Sequence, residues 1–234
     1  MPAAAPGPRP DPAELTAVAQ DYLKAVWSAL EWVADPQAKV STGQLADRLG
    51  VGPSTVSEAV QKLSEQGLLA HEPYRGVGLT DLGLGYALVM VRRHRLLETW
   101  LVQHVGYAWD EVHDEAERLE HAVSDRLVER LDALLGHPVR DPHGDPIPAA
   151  DGRVVRPDAV PLADLVAGES GVVARISDAD PADLRALADL GVALDVRLTV
   201  TALLPRRDAL TLTWAGEAAD VPARLASRVW VTRG

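Results

Sequence analysis

STGQLADRLGVGPSTVSEAVQKLSEQGLLAHEPYRGVGL, residues 41–79, is the stretch whose pattern decides the fold. Ser41 or Thr42 can cap a short helix through Gln44, Leu45, Ala46 and Leu49, and Gly50 stops it. After Gly52-Pro53-Ser54 a second helix starts with Ser54 as its cap, buries Val56, Val60 and Leu63, and ends near Gly67. Short extended pieces at 68–71 and 77–79 flank Tyr74-Arg75-Gly76. Helix, short turn, helix and hairpin is the order of a winged helix-turn-helix. Its recognition helix would span 54–65, with Ser54, Thr55, Ser57, Glu58 and Gln61 facing outward and Arg75 at the hairpin turn. Ser54 can equally be no more than a cap on a solvated face, and such a unit can serve packing alone. The adjoining hairpin shifts the balance toward DNA.

Upstream, residues 14–33 read as an amphipathic helix with Leu15, Val18, Ala19, Tyr22, Val26, Ala29, Leu30 and Val33 at intervals of three and four, ended by Asp35-Pro36. Downstream, Thr80 caps a long helix carrying Leu84, Leu88, Val91, Leu96, Leu97 and Leu101 as far as Gly106. Residues 110–135 form a further helical region with an apolar stripe from Val112 through Leu134. Both exceed what a small winged module needs, so the surplus predicts a helical dimerisation layer. Six prolines between Gly136 and Pro161 mark a linker or extended crossover. Beyond it, strand candidates at 171–176, 193–203, 210–214 and 229–232, with a short helix at 180–189, suggest a small β-barrel. The expected organisation is mainly α: a disordered start at 1–12, a winged helix-turn-helix at 13–79, a helical domain at 80–148, a linker at 149–161 and the barrel at 162–234.

Composition bounds the function. The 234 residues are 47% hydrophobic and 24% charged, enough for one large or two modest cores. No cysteine is present, which excludes disulfides, thiolate zinc sites and iron-sulfur clusters. The net charge of -11 argues against a chain that coats nucleic acid without specificity, but residues 39–75 alone balance 4 basic against 4 acidic groups. No apolar run is long enough to span a bilayer and the start lacks a secretory pattern, so a cytoplasmic protein without a membrane partner is expected. Nucleophile elbow, phosphate loop and dinucleotide fingerprint are all missing from the sequence.

The surplus acid of 76–135, 11 acidic against 6 basic residues, centres on VHDEAERLEH, residues 112–121. On a helix this places His113, Glu117 and Glu120 or His121 on adjacent turns of one face, while His94 and Glu98 have i,i+4 spacing on the preceding helix. Imidazole and carboxylate without thiol suit Mn(II), Fe(II), Co(II) or Zn(II). Spacing alone leaves open a charged face on which each histidine pairs with a glutamate.

The whole pattern resembles the diphtheria-toxin-repressor and manganese-repressor family of metal-dependent transcriptional regulators. The run VRRHRLLETWLVQHVGYAWDEVHDEAERLEHAVSD looks like that family's dimerisation and metal-binding region, GPSTVSEAVQKLSEQGLL and YRGVGLTDLG like its recognition helix and wing, and DPHGDPIP like the segment after its helices. The resemblance implies an activating site of Asp21, Glu117, Glu120 and His121, and an ancillary site of His94, Glu98 and His113. In the long family type, whose C-terminal domain resembles an SH3-like barrel, that domain lends ligands to the ancillary site, and Asp180 and Asp183 fall at the matching places. Both can equally cap or line a helix N-terminus. Iron-responsive members usually carry Met and Cys where this chain has Asp21 and Glu117, so hard oxygen donors favour Mn(II) as effector. Lys24 stands where manganese regulators without the barrel often have a second carboxylate, which speaks against a closely spaced two-metal cluster here.

These features imply a homodimeric, metal-activated repressor of metal uptake or homeostasis genes, acting on a palindromic operator in double-stranded DNA. Two readings from other classes stand beside it. A metallohydrolase would use the His/Glu cluster to activate water, but the sequence has no His-Glu-x-x-His run. A metal-binding dimer without DNA binding would differ only in failing to shift a promoter fragment. His71, His104, His137 and His143 read as surface or loop residues, Trp100 and Trp109 as filling for the helical layer, and Trp214 and Trp230 as part of the barrel.

Overall fold

The computed structural model describes residues 10–33, 35, 37–72 and 75–234. The expected disordered start lies mostly outside them, although Pro12–Glu14 already form a 3-10 turn capped by Asp11. Helix α1 (Ala17–Leu30) starts later than the apolar periodicity predicts because Thr16 caps it, its side chain accepting from the Ala19 N–H at 3.2 Å. α2 (Thr42–Leu49) has a complete capping box: Ser41 Oγ accepts from the Gln44 N–H, and Gln44 Oε1 accepts from the Ser41 N–H. Gly50, at φ 63°, ends it in the left-handed conformation. α3 (Pro53–Glu65) begins one residue before the predicted start, with Gly52 rather than Ser54 as N-cap and Pro53 in the first turn.

β1 (Leu69–Glu72) and β2 (Gly76–Leu79) form the predicted hairpin, extended by a bridge from Val40 to Val77. Tyr22, Leu23, Val26, Leu45, Val56, Val60, Leu63 and Val77 share one core, so most of the apolar faces inferred from periodicity point inward, although Val18 and Val33 of the first stripe are exposed. Thr80 Oγ1 donates to the Gly67 carbonyl at 2.7 Å and accepts from the Gly83 N–H at 3.0 Å, joining the hairpin's base to α4 (Asp81–Trp100).

Among the described residues the chain divides into two compact units inside α4. The first ends at His94 and adds Pro148–Val154, and the second holds Arg95–Ile147 and Val155–Gly234. In the second, α4 continues as a π-helical turn, Leu101–Val105, that Gly106 closes at φ 90°. The predicted helical region 110–135 is two helices, α5 (Val112–Leu119) and α6 (Asp125–Leu134). Ser124 separates them, because its side chain accepts from the Leu127 N–H and starts a new helix. Leu97, Leu101, Val112, Ala116 and Leu131 pack together, and Leu96 with Val128 and Ile147 form a second small cluster. The linker reading of the proline-rich stretch does not extend over its first half. Asp141, His143, Gly144, Asp145, Pro146, Ile147 and Pro148 are buried, and a bridge joins Arg140 to Pro146.

The C-terminal part is an antiparallel six-stranded sheet in the order β3-β8-β4-β5-β6-β7. Its strands are β3 (Ala159–Pro161), β4 (Ser170–Ile176), β5 (Arg197–Leu204), β6 (Ala209–Trp214), β7 (Glu217–Pro222) and β8 (Val229–Arg233), with α7 (Pro181–Asp189) and α8 (Ala223–Ala226) between them. It is the small SH3-like domain expected from the sequence, although no pairing closes β7 onto β3 among the described residues. β7 was not predicted. Its EAADVP sequence lacks alternating β-branched residues, and it exists because Ala215 and Gly216, both at positive φ, turn the chain back onto β6. Trp109 packs against this domain's core instead of filling the helical layer.

Candidate metal centre

Five side chains that can bind a cation meet in the second unit. Glu98 comes from α4, His113 from α5, Asp141 and His143 from the buried loop, and Asp178 from just after β4. One donor atom each from Glu98, Asp141 and His143 lie within 4.8 Å of one another, and so do donors from Glu98, His113 and Asp178. Glu98 belongs to both groups. His113 Nδ1 stands 3.4 Å from Glu98 Oε1 and 3.4 Å from Asp178 Oδ2.

Local structure fixes these donors. Asp141 Oδ1 accepts from the N–H groups of His143 at 2.8 Å and Asp145 at 2.9 Å, which curls the loop around its own carboxylate. His143 is fully buried, and its Nε2 lies 2.6 Å from the Trp109 carbonyl oxygen. A carbonyl can only accept, so Nε2 carries a proton, and in the neutral ring Nδ1 presents the lone pair. That Nδ1 is buried and has no hydrogen-bond partner among the described residues. A buried acceptor without a partner costs on the order of 1–3 kcal/mol. A cation shared with Glu98 and Asp141 would satisfy it, and the fixed tautomer is the one that ligation by Nδ1 needs.

The electrostatics are those of an anionic cage. Burial, with Asp145 and Glu98 nearby, pushes the Asp141 carboxyl up to about 8. Burial pulls the His113 imidazole down, but Asp178 and Glu98 outweigh it and push it up to about 10. Burial likewise opposes the charged form of His143, and Asp141, Glu98 and Asp178 reverse the sign and raise it. Asp178 goes the other way: the His113 hydrogen bond and neighbouring cations overcome burial and hold it well below the carboxylate range. Protons thus gather where three carboxylates face one another, and a divalent cation would replace them.

The residues expected from the sequence fall into several places. Glu98 and His113 are in the cluster. His94 precedes Glu98 by one helical turn and is buried, at the end of the first unit. Glu117 Oε1 is 3.5 Å from His113 Nε2, so it sits beside an expected ancillary ligand. It also lies four residues before His121, whose Nε2 is 3.7 Å from Oε1 of the fully buried Glu120. Asp21 lies in the middle of α1, in the first unit. Asp180 and Asp183 are outside the cluster: Asp180 caps α7 through the Ala182 N–H, and Asp183 is buried against Arg224 and Arg228. The carboxylate that the C-terminal domain contributes, just after β4, is Asp178.

Asp141, His143 and Asp178 were missed by spacing. The sequence reads His143 as a surface or loop residue; it lies in a loop, but the structure buries it completely. The available signal was Asp-Pro-His-Gly-Asp at 141–145, two carboxylates bracketing an imidazole within a tight turn.

On the first unit, Ser54, Thr55, Ser57, Glu58 and Gln61 are all exposed on α3, and Arg75 is exposed beside β2. Ser57 Oγ donates to the Pro53 carbonyl at 2.9 Å and Gln61 Nε2 to Glu65 Oε1 at 3.0 Å, contacts within the helix that a base edge or phosphate can replace.

Comparison with known proteins agrees with this layout. Residues 14–77 match the iron-dependent repressor N-terminal DNA-binding domain, 80–149 the iron-dependent repressor metal-binding and dimerisation domain, and 160–233 the FeoA domain. The iron-dependent repressor IdeR of Mycobacterium tuberculosis is 32% identical over 219 residues, covering 85% of this chain and 94% of that protein. A manganese-dependent transcriptional repressor solved with manganese is 54% identical, with a TM-score of 0.87 over 92% of this chain and 100% of its own. ScaR with bound Zn2+ is 31% identical, with a TM-score of 0.79 over 92% of this chain and 99% of its own. The chain belongs to the diphtheria-toxin-repressor and manganese-repressor family of metal-dependent transcriptional regulators.

Proposed function

We propose that this chain is a manganese-activated repressor that binds a palindromic operator in double-stranded DNA as a homodimer and controls genes of metal uptake or homeostasis. One observation carries the reading: an all-oxygen-and-nitrogen cluster in which a ring nitrogen of the buried His143 lies within 4.8 Å of a carboxylate oxygen from each of Glu98 and Asp141, while its Nδ1 has no hydrogen-bond partner among the described residues. The donor set has no sulfur, and carboxylate with imidazole suits Mn(II), while Fe(II), Co(II) and Zn(II) remain competent by affinity order. A relative 54% identical is solved as a manganese complex, and ScaR is solved with Zn2+ and with Cd2+.

Two sites serve the function. Glu98, His113, Asp141, His143 and Asp178 would hold one cation within the second unit, with His94 supporting it from the turn before Glu98. Asp21, Glu117, Glu120 and His121 would hold the activating one. Glu117 stands four residues from both His113 and His121, so it can serve either site. At the activating site Asp21, Glu117 and Glu120 could share one place only around a cation, whose charge would offset theirs, and in the metal-bound homodimer two copies of α3 would meet successive major grooves about 34 Å apart. Linkage requires DNA to tighten metal binding by the factor by which metal tightens DNA binding. No helix among the described residues is long and apolar enough to cross a membrane.

The test is a labelled promoter fragment mixed with the protein, with and without Mn(II). A metal-dependent shift is expected. Stoichiometric Mn(II) uptake without any shift would instead establish a metal-binding dimer that does not read DNA.

A further inference from the structure

The cluster around Glu98 takes its donors from four segments of the chain, and one carboxylate that is not among the donors touches three of the four. Asp145 Oδ1 accepts from Arg175 Nε at 2.6 Å and lies 3.6 Å from Arg95 Nη2, while the Asp145 N–H donates to Asp141 Oδ1 at 2.9 Å. Arg95 stands three residues before Glu98 on α4, and Arg175 three before Asp178 at the end of β4. Asp145 and Arg175 side chains are only 5% and 10% exposed, so solvent screens the pair weakly. Arg175 is further fixed by the Trp230 ring, 4.4 Å from its guanidinium carbon.

The backbone brings Asp145 there. The Ile176 N–H donates to the His143 carbonyl at 2.8 Å, which lays the loop along β4. Gly144, at φ 91°, presses on the irregularity in β4 between Val173 and Arg175, where a Cβ would overlap the Ala174 carbonyl oxygen.

We propose that Asp145 is a positioning residue for this metal site: it draws Arg95 of α4 and Arg175 of β4 onto one carboxylate, so that Glu98, Asp141, His143 and Asp178 stand in ligating register before a cation arrives. The proposal rests on the reading of the cluster as a metal site. Asp145 does not itself ligate, and its removal acts on affinity through the placement of others.

Mn(II) titration of the full chain tests this, with electron paramagnetic resonance counting free and bound ion and separating the two bound species by their spectra. The wild-type chain is expected to bind two equivalents. Asp145→Ala should weaken one of them roughly 10- to 100-fold, as loss of an outer-shell partner does, and leave the other unchanged. Asp145→Asn keeps an oxygen for Arg175 Nε and should restore that equivalent to within about threefold of wild type, on the same scale. Unchanged binding by Asp145→Ala overturns the proposal. So does equal weakening in Asp145→Asn and Asp145→Ala, because lost charge and not placement would then be the cause. If Asp145→Ala does not fold, Arg175→Lys reads the same quantity from the partner side: it keeps the charge and loses the Nε geometry, and unaltered affinity there overturns the proposal as well. A wild-type chain that takes up a single equivalent removes the second site itself, a result distinct from any of these.

Discussion

The outer face of α3 and the cluster around Glu98 are both polar, but they stand under opposite physical conditions. Ser54, Thr55, Ser57, Glu58 and Gln61 are exposed, so water satisfies whatever their neighbours do not, and nothing about the helix needs a ligand. Glu98, Asp141 and His143 are buried at 1%, 5% and 0% exposure, where each unmet charge or lone pair costs folding energy. The first surface is cheap to build and says little about its partner. The second is costly and names its partner by chemistry. In a metal-activated repressor the costly region governs the cheap one, and the two should respond differently to the same disturbance.

The largest expected break comes from residues remote from α3 in sequence. Glu120→Ala or His121→Ala should remove the Mn(II) dependence of DNA binding, lowering affinity at saturating metal roughly 100-fold, the upper range of allosteric coupling. Gel shift with and without Mn(II) reads this directly. An affinity for operator that stays metal-dependent in both variants would remove these residues from the activating site.

How much was legible in the sequence follows the same division. The first unit is built from local signals: the Ser41/Gln44 capping box, Gly50 at the helix end and apolar intervals of three and four each act within a few residues. Residues 41–79 were therefore readable to within a residue or two: the cap of α3 is Gly52 and not Ser54, and the strands lie at Leu69–Glu72 and Gly76–Leu79 against the expected 68–71 and 77–79. The Glu98 cluster depends on contacts that cross the chain. Glu98 and His113 could be picked out by helical spacing, whereas Asp141 and His143 sit in a proline-rich stretch that looks like a linker until β4 packs against it. Asp178 was displaced by its neighbours for a similar reason: family likeness led to Asp180 and Asp183, but Ala182 needs a cap and Arg224 and Arg228 need a counter-charge. β7 was invisible because its turn, not its composition, makes it a strand.

pH should separate the two regions with a smaller effect. Asp141, raised to about 8, holds its proton in the metal-free fold well above the pH at which the unfolded chain releases it. Because the folded state then binds more protons, this contribution to stability falls as pH rises from about 4 toward 8. His113, raised to about 10, contributes stability that is complete below its unfolded value near 6.5 and is lost as pH rises through 10. Both signs agree: between pH 6 and 8 the metal-free protein should become less stable. Mn(II) must displace these protons, so its affinity for the cluster should rise between one and two decades per pH unit below both values, or about tenfold at the least. Thermal melts with chelator and with saturating Mn(II), at several pH values, give both quantities. Metal-free melting that climbs over this interval would contradict the assignment of these protons.

The smallest expected effect is the sharpest, because it sets two aspartates of one short segment against each other. Asp180 and Asp178 are two residues apart, both follow β4, and neither is distinguished by composition. Asp180 Oδ1 accepts from the Ala182 N–H at 2.8 Å and so belongs to the economy of α7, whereas Asp178 Oδ2 faces His113 at 3.4 Å. Asp180→Ala should therefore cost about 1 kcal/mol of stability, as loss of an N-cap does, with the number of bound Mn(II) ions unchanged. Asp178→Ala should lower that number or its affinity. Equal effects on metal uptake would mean that α7 and the cluster are one unit and that the cap at Asp180 also shapes the site. An effect of Asp180→Ala alone would return the ligand to the position family likeness first gave it, since no contact of Asp178 with His113 could then matter to the cation.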